Sequence, residues 1–429
     1  MINTSINPSF AEWSTIFSRP TQEGNLREGI AQILNDVKKN GDEALGKYTI
    51  RFDGVDLVDI KVNPEDIQNA PQLVPSSLQK AILQAIENIR RYHNAQFPKS
   101  ISLETMPGIE THQIFRPIDK VGLYVPGGTA PLLSTLMMLA IPATIAKCPE
   151  IIVCTPPDSG GNIHPAILFI AKQLGLQSIY KVGGAQAIAA MAYGTETIPK
   201  VYKIFGPGNS FVTQAKELVQ LDGLSIDMPA GPSEVLVYAD RTANPAFIAS
   251  DLLSQAEHGP DSQVILVTNN EKTLQETNAE INKQLELLPR RETAIQSLQH
   301  SWLIQEEDEI KAFELINAYA PEHLILDCAN PATKLPLIRN AGSIFLGPWS
   351  AEAIGDYAAG PNHTLPTNHH ARAYSGVSLT TFMKKMSVQE VTKEGFKNIC
   401  QTVEILAEAE DLIGHQRAVS IRKETLENQ

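Results

Sequence analysis

Residues 121–146 read VGLYVPGGTAPLLSTLMMLAIPATIA, a run of 26 positions without a charged side chain. An uncharged stretch of that length can span a bilayer. Here, however, Pro126, Gly127, Gly128, Pro131 and Pro142 interrupt it, together with Ser134 and Thr135. Within lipid, the backbone groups released by such breaks would find no water to bond. A short strand at 121–125, a glycine turn and a buried helix account for the same residues without that penalty. A second β-branched run at 151–154 follows the helix, so the segment reads as a βαβ unit of a parallel sheet.

The pattern continues outward. Further strand candidates lie at 179–182, 201–205, 234–238, 263–267, 324–326 and 343–346, and most are separated by helical patterns of 10–15 residues. Eight strands fit two linked α/β units. Upstream, residues 25–40 place Ile30, Ile33, Leu34 and Val37 on one helical face, with Asn40-Gly41 as a stop. A second helix follows Ser76, with Leu78, Ile82, Ile86 and Ile89 spaced by three or four. The last 45 residues show no strand signal; 395–422 read as helix, with Ile399, Val403, Ile405 and Leu406 apolar. The expected fold is therefore α/β, with two Rossmann-like parallel-sheet domains and helical terminal segments used in dimerisation. The expected division is an arm at 1–23, a discontinuous domain at 24–123 and 233–378, a second domain at 124–232, and a helical tail at 379–429.

The chain has 429 residues, 43% apolar and 19% charged, which is enough for a sizeable core. A formal charge of −13 and the absence of any Lys/Arg-rich run argue against nucleic acid as a partner. Cys148, Cys154, Cys328 and Cys400 form no C-x-x-C, which excludes a cysteine-built zinc site and fits a reducing, cytoplasmic setting. No basic region followed by an apolar core opens the sequence, so no signal peptide and no membrane association are expected.

Three strand-to-helix junctions carry glycine: Pro126-Gly127-Gly128, Gly183-Gly184 and Gly206-Pro207-Gly208-Asn209. Glycine there lets a ligand approach the backbone, and the helix N-terminus beyond favours an anion such as pyrophosphate. None is G-x-G-x-x-G, so a nucleotide site would have a non-standard form. On the helix that follows Asn244, Asp251, Gln255 and His258 form a polar stripe, and Gln255 and His258, three apart, can meet one cation. A glycine-rich loop carries Asp356 and His363; Glu410 and His415 sit in the last helical segment. Glu322-His323, between a helix and an apolar strand, can divide acid/base work. The pair precedes its strand, whereas ligand sites of open α/β sheets gather past the carboxyl ends.

These segments occur together in the order YVPGGTAP (124–131), GGAQA (183–187), GPGN (206–209), GPSE (231–234), DLLSQAEHG (251–259) and APEHL (320–324). The loop 356–367 and His415 with Ala418-Val419 complete the set, and on it nearly the whole chain resembles the histidinol dehydrogenases. The resemblance implies oxidation of L-histidinol to L-histidine through an enzyme-held aldehyde, using two NAD, as the last step of histidine biosynthesis. It implies one zinc per subunit, held by Gln255, His258 and Asp356, with His415 supplied by the other subunit of a homodimer whose active sites are shared. The zinc would orient the substrate's nitrogens. His323 is similar to the family's general base and Glu322 to its water-activating residue. Ser233, His363 and Glu410 match substrate contacts, as do Gln255, His258, His323, Asp356 and His415; Tyr124, Gln186 and Asn209 match cofactor contacts. Two positions depart from the family pattern: Asp411 stands where glycine is usual and Pro361 where threonine is common. Two readings compete with this one: a relative on the same scaffold that oxidises another polar alcohol, and a hydrolase in which Glu322 activates zinc-bound water.

Overall fold

Near-continuous apolar runs make the central strands, because helices cover both faces of a parallel sheet. A computed structural model describes residues 2–19, 26–127, 131–229 and 231–428. It resolves into two units, Met1–Gln96 with Ile118–Phe382, and Phe97–Pro117 with Met383–Gln429.

The first unit holds two all-parallel sheets. The larger orders its strands Asn3–Ile6, Trp302–Gln305, Gln263–Thr268, Glu234–Ala239, His323–Asp327 and Ser343–Leu346. Every residue of the three central strands is buried, while the two edge strands alternate half-buried and exposed. The smaller sheet orders Ser178–Lys181, Glu150–Thr155, Lys120–Tyr124, Lys203–Phe205 and Ser225–Ile226. All eight strands expected from sequence fall on strands of these sheets. Asn3–Ile6, Trp302–Gln305 and Ser225–Ile226 are additional; the first lies in the stretch read as an arm.

The 26-residue uncharged run becomes a strand and the helix Leu133–Ile145, of which 134–143 are buried. Gly128, Thr129 and Ala130 of its turn lie outside the described residues, as does Asn25 at the start of the first expected helix. Among the described residues no helix is long and apolar enough to cross a membrane. The helical stretch Leu26–Asp53 is two helices meeting at Gly41, whose φ of 51° lies in the left-handed region, so the first ends at the expected Asn40-Gly41. A second helix follows at once, turned by the glycine.

The second unit is an antiparallel sheet of Ile101–Met106, Ile109–Pro117 and Met383–Val391, followed by the helices Lys393–Ala409 and Ile413–Glu427. Met383–Val391 overlaps the C-terminal stretch expected to lack strands. Eight of its nine residues are exposed in this chain, so it shows no alternation of apolar and polar positions to read. Between the two helices Asp411 takes φ 56°. That is a backbone state glycine adopts freely and aspartate tolerates better than most residues, which accounts for the departure from the family pattern at this position.

Candidate active site

Glu322 and His323 stand at the amino end of the larger sheet, where the chain enters its strand from the left-handed C-cap at Ala320. Two bonds to the neighbouring strand fix them. Glu322 Oε2 accepts from the Glu234 backbone N–H at 2.9 Å, and His323 Nδ1 lies 3.0 Å from the Glu234 carbonyl oxygen. A carbonyl can only accept, so Nδ1 carries the proton and the neutral ring presents its lone pair at Nε2. Nε2 is buried, without a hydrogen-bond partner among the described residues, and 3.4 Å from Asp356 Oδ1. Burial opposes the charged ring, but the Glu322 and Asp356 carboxylates outweigh it and hold the His323 pKa well above the ordinary histidine value. The site can thus receive a proton at Nε2 and stabilise it there.

Glu234 is anchored in turn. Its buried carboxylate pairs with Arg19, whose guanidinium lies 4.3 Å from the Tyr319 ring centroid, and it accepts from the Asn368 N–H at 2.9 Å. His369 closes the cluster, with Nδ1 donating to the Tyr319 carbonyl oxygen at 2.8 Å and Nε2 facing Arg19. Burial and the adjacent guanidinium push the His369 pKa down to about 4 from 6.5. The unfolded chain therefore binds this proton at a higher pH than the folded one. The stability contributed is whole above about 6.5 and is lost as the pH falls towards 4. His369→Gln should flatten that limb of the pH–stability curve without abolishing it, because burial also depresses His93 and His363. Thermal unfolding from pH 4 to 7 measures this, and parallel curves for the two proteins would contradict it.

Beside His323 lies a cluster able to hold a cation. Asp356 sits on the short helix Glu352–Tyr357, one turn after Glu352, so both carboxyls share a face. Ligand atoms of His323, Glu352 and Asp356 lie within 4.8 Å of one another. Burial raises Glu352, with Asp356 adding to the shift; burial opposes the charge of Asp356 too, but His323 holds it below its ordinary value. The helix Pro245–Ala256, capped by Asn244 accepting from the Ala246 N–H at 3.0 Å, brings Gln255 to this cluster through Glu352. His258 follows at the helix end and is close enough for its charge to act on Asp356 and His323. A cavity of about 360 Å³ opens here, lined by His323, Asp356, His363, Phe345 and Trp349 among others. Oxygen and imidazole donors of this kind suit zinc, and Gln255 Oε1 is buried without a hydrogen-bond partner among the described residues, as a group awaiting a cation would be.

Tyr124, Gln186 and Asn209 line a different cavity, of about 710 Å³, at the carboxyl ends of the smaller sheet. The Tyr124 hydroxyl accepts from the Gly184 N–H at 3.0 Å, and Asn209 Oδ1 caps the next helix through the Val212 N–H at 3.1 Å. The third glycine junction requires its glycine: Gly206 has φ +129°, and a Cβ there would meet the Tyr124 carbonyl oxygen at 2.1 Å. Its backbone N–H donates to Asp227 at 2.8 Å and its carbonyl accepts from buried Lys216 at 2.9 Å. This cavity obeys the carboxyl-end rule of α/β sheets, whereas Glu322-His323 belongs to the amino edge of the other sheet. The two candidate sites therefore lie at opposite ends of their respective sheets' strands.

Ser233 immediately precedes Glu234 on the same amino edge and is partly buried. Glu410 and His415 lie in the second unit, exposed around the turn between its two helices. Glu352, Arg19, Glu234 and His369 were not singled out in the sequence. For Glu352 a signal existed in the i, i+4 spacing of Glu352 and Asp356; for the others, partners 350 or 215 residues away leave no local mark.

The family model described as histidinol dehydrogenase matches residues 18–423. A histidinol dehydrogenase of Bacteroides thetaiotaomicron is 52% identical over 420 residues, covering 98% of each chain. One of Haemophilus influenzae is 50% identical over 416 residues, covering 96% of each. The crystal structure of histidinol dehydrogenase from Elizabethkingia anophelis is similar with a TM-score of 0.96 at 50% identity, covering 99% of both chains.

Proposed function

Because the chain belongs to the histidinol dehydrogenase family, whose members are oxidoreductases, we propose that it oxidises L-histidinol to L-histidine in two NAD-linked steps through L-histidinaldehyde. The alcohol and NAD⁺ give aldehyde, NADH and a proton; aldehyde, water and a second NAD⁺ give the carboxylate, NADH and two protons. The observation carrying this reading is His323, with Nδ1 tied to the Glu234 carbonyl and Nε2 left free beside Asp356. In the first step Nε2 takes the hydroxyl proton as hydride leaves the carbinol carbon. Glu322, oriented by the Glu234 N–H, then draws a proton from water as it attacks the aldehyde carbon. His323 acts again as the resulting hydrate loses its hydride.

Gln255, His258 and Asp356, with His415 of the partner subunit, would hold one zinc, which when bound keeps the amine and imidazole nitrogens of the substrate in place. Ser233, His363 and the partner subunit's Glu410 would contact the same substrate. NAD would occupy the 710 Å³ cavity against Tyr124, Gln186 and Asn209, making residues 124–232 the cofactor-contacting part of the chain. That cavity also favours a dehydrogenase over a zinc hydrolase, which has no use for a nucleotide. The setting proposed is cytoplasmic, and the assembly a homodimer.

The test is a count. Purified protein given limiting L-histidinol should form two NADH for each substrate consumed, and metal analysis should find one zinc per chain. One NADH per substrate would remove the aldehyde-to-acid half of the proposal.

A further inference from the structure

Glu352 has no step in the reaction above, yet it is 1% exposed. Its carboxyl oxygens are both engaged. Oε1 accepts from Gln255 Nε2, and Oε2 accepts from the Ser254 hydroxyl at 2.8 Å. Gln255 is equally buried, and its Oε1 has no hydrogen-bond partner among the described residues.

The two ends of a carboxamide are nearly identical in shape and opposite in chemistry: the NH₂ end donates and the oxygen accepts. Shape alone therefore cannot fix which end faces a ligand; only a partner can. Glu352 Oε1 is an acceptor, so it holds the NH₂ end of Gln255 and turns the carbonyl oxygen the other way. A cation is bound by that oxygen and repelled by the NH₂ end. We propose that Glu352 is a positioning residue that sets the Gln255 amide so that Oε1, and not Nε2, faces the divalent cation. Although its own atoms lie within reach of the cluster, they are taken up by Ser254 and Gln255, so its part is alignment of the ligands. Partners in this position typically change metal affinity 10- to 100-fold when lost.

The inference rests on the zinc reading above, and Zn²⁺ itself is the probe. Full-length protein is stripped of metal, and its Zn²⁺ affinity is measured by competition with a chromophoric chelator; visible absorption of the Co²⁺ form reports the ligand set. Glu352→Gln keeps the shape but can offer either amide end to Gln255. It should weaken Zn²⁺ binding about 10- to 100-fold and shift the Co²⁺ bands. The exchanged pair, Gln255→Glu with Glu352→Gln, restores a donor facing an acceptor and leaves an oxygen toward the site. It should regain at least about 10-fold of the lost affinity. A gain no larger than Gln255→Glu produces alone would come from the added carboxylate charge and would overturn the assignment. Should Glu352→Gln not fold, the exchanged pair decides: Zn²⁺ uptake supports the assignment, and a folded protein without uptake overturns it. Wild-type protein that binds Zn²⁺ alongside a Glu352→Gln variant of equal affinity and unchanged Co²⁺ bands overturns this inference alone. Wild-type protein that takes up no Zn²⁺ overturns the zinc reading and this inference with it.

Discussion

Replacing His323 with asparagine is expected to slow NADH formation from L-histidinol about 100- to 10,000-fold while the protein folds and retains zinc. The asparagine amide can still donate to the Glu234 carbonyl oxygen, as Nδ1 does now, so the bond that anchors the side chain survives. What disappears is the lone pair at Nε2, the only part of the ring without a hydrogen-bond partner among the described residues. Without it the hydroxyl proton has no acceptor as hydride departs, and both oxidations suffer. Glu322→Gln should behave differently. The amide oxygen can still accept from the Glu234 N–H, but it cannot take a proton from water. Conversion of histidinol to the aldehyde should be largely spared, and oxidation of supplied histidinaldehyde should slow. Assaying each variant on both substrates separates the roles. Turnover of the His323 variant within a few-fold of wild type would place the proton acceptor elsewhere.

What the sequence reveals follows from how far a signal must travel. The strands at 234–238 and 263–267 are legible because each residue is buried between helices, so the run itself is apolar. Met383–Val391 is not, because its side chains are exposed and only pairing with Ile109–Pro117 makes it a strand. The site divides in the same way. Gln255 and His258 lie three apart on one helical stretch, and their proximity is local. Glu234 commands Glu322 and His323 through its backbone, from nearly ninety residues away, and its own anchor Arg19 is 215 residues distant. Backbone hooks carry no residue-type preference, so no motif records them. Glu352 falls between these cases: its spacing to Asp356 is local, but its use, holding one end of an amide, becomes visible only when Gln255 is seen with an unpartnered oxygen.

Mixing two inactive variants should restore activity if the sites are shared. Gln255, His258 and Asp356 would supply three zinc donors from one chain, and His415 of the partner subunit is proposed as a further one, leaving the metal open to the substrate's nitrogens. The second unit suits contact with another subunit, since Ile405, Leu406, Ile413 and Ile421 on its helices are each about half exposed or more in the single chain. His415→Asn removes a ligand from the neighbour's site, and Glu322→Gln blocks the second oxidation in its own body; each homodimer should form almost no L-histidine. When the two are unfolded, mixed and refolded, half the dimers are mixed at random pairing. Each mixed dimer has one site built from the intact body of the first variant and the intact tail of the second. The other site carries both defects. About one quarter of the wild-type rate of L-histidine formation should therefore return, from almost none in either parent. Mixed dimers verified by native mass spectrometry yet inactive would mean that each chain completes its own metal site, and His415 would lose the role proposed for it.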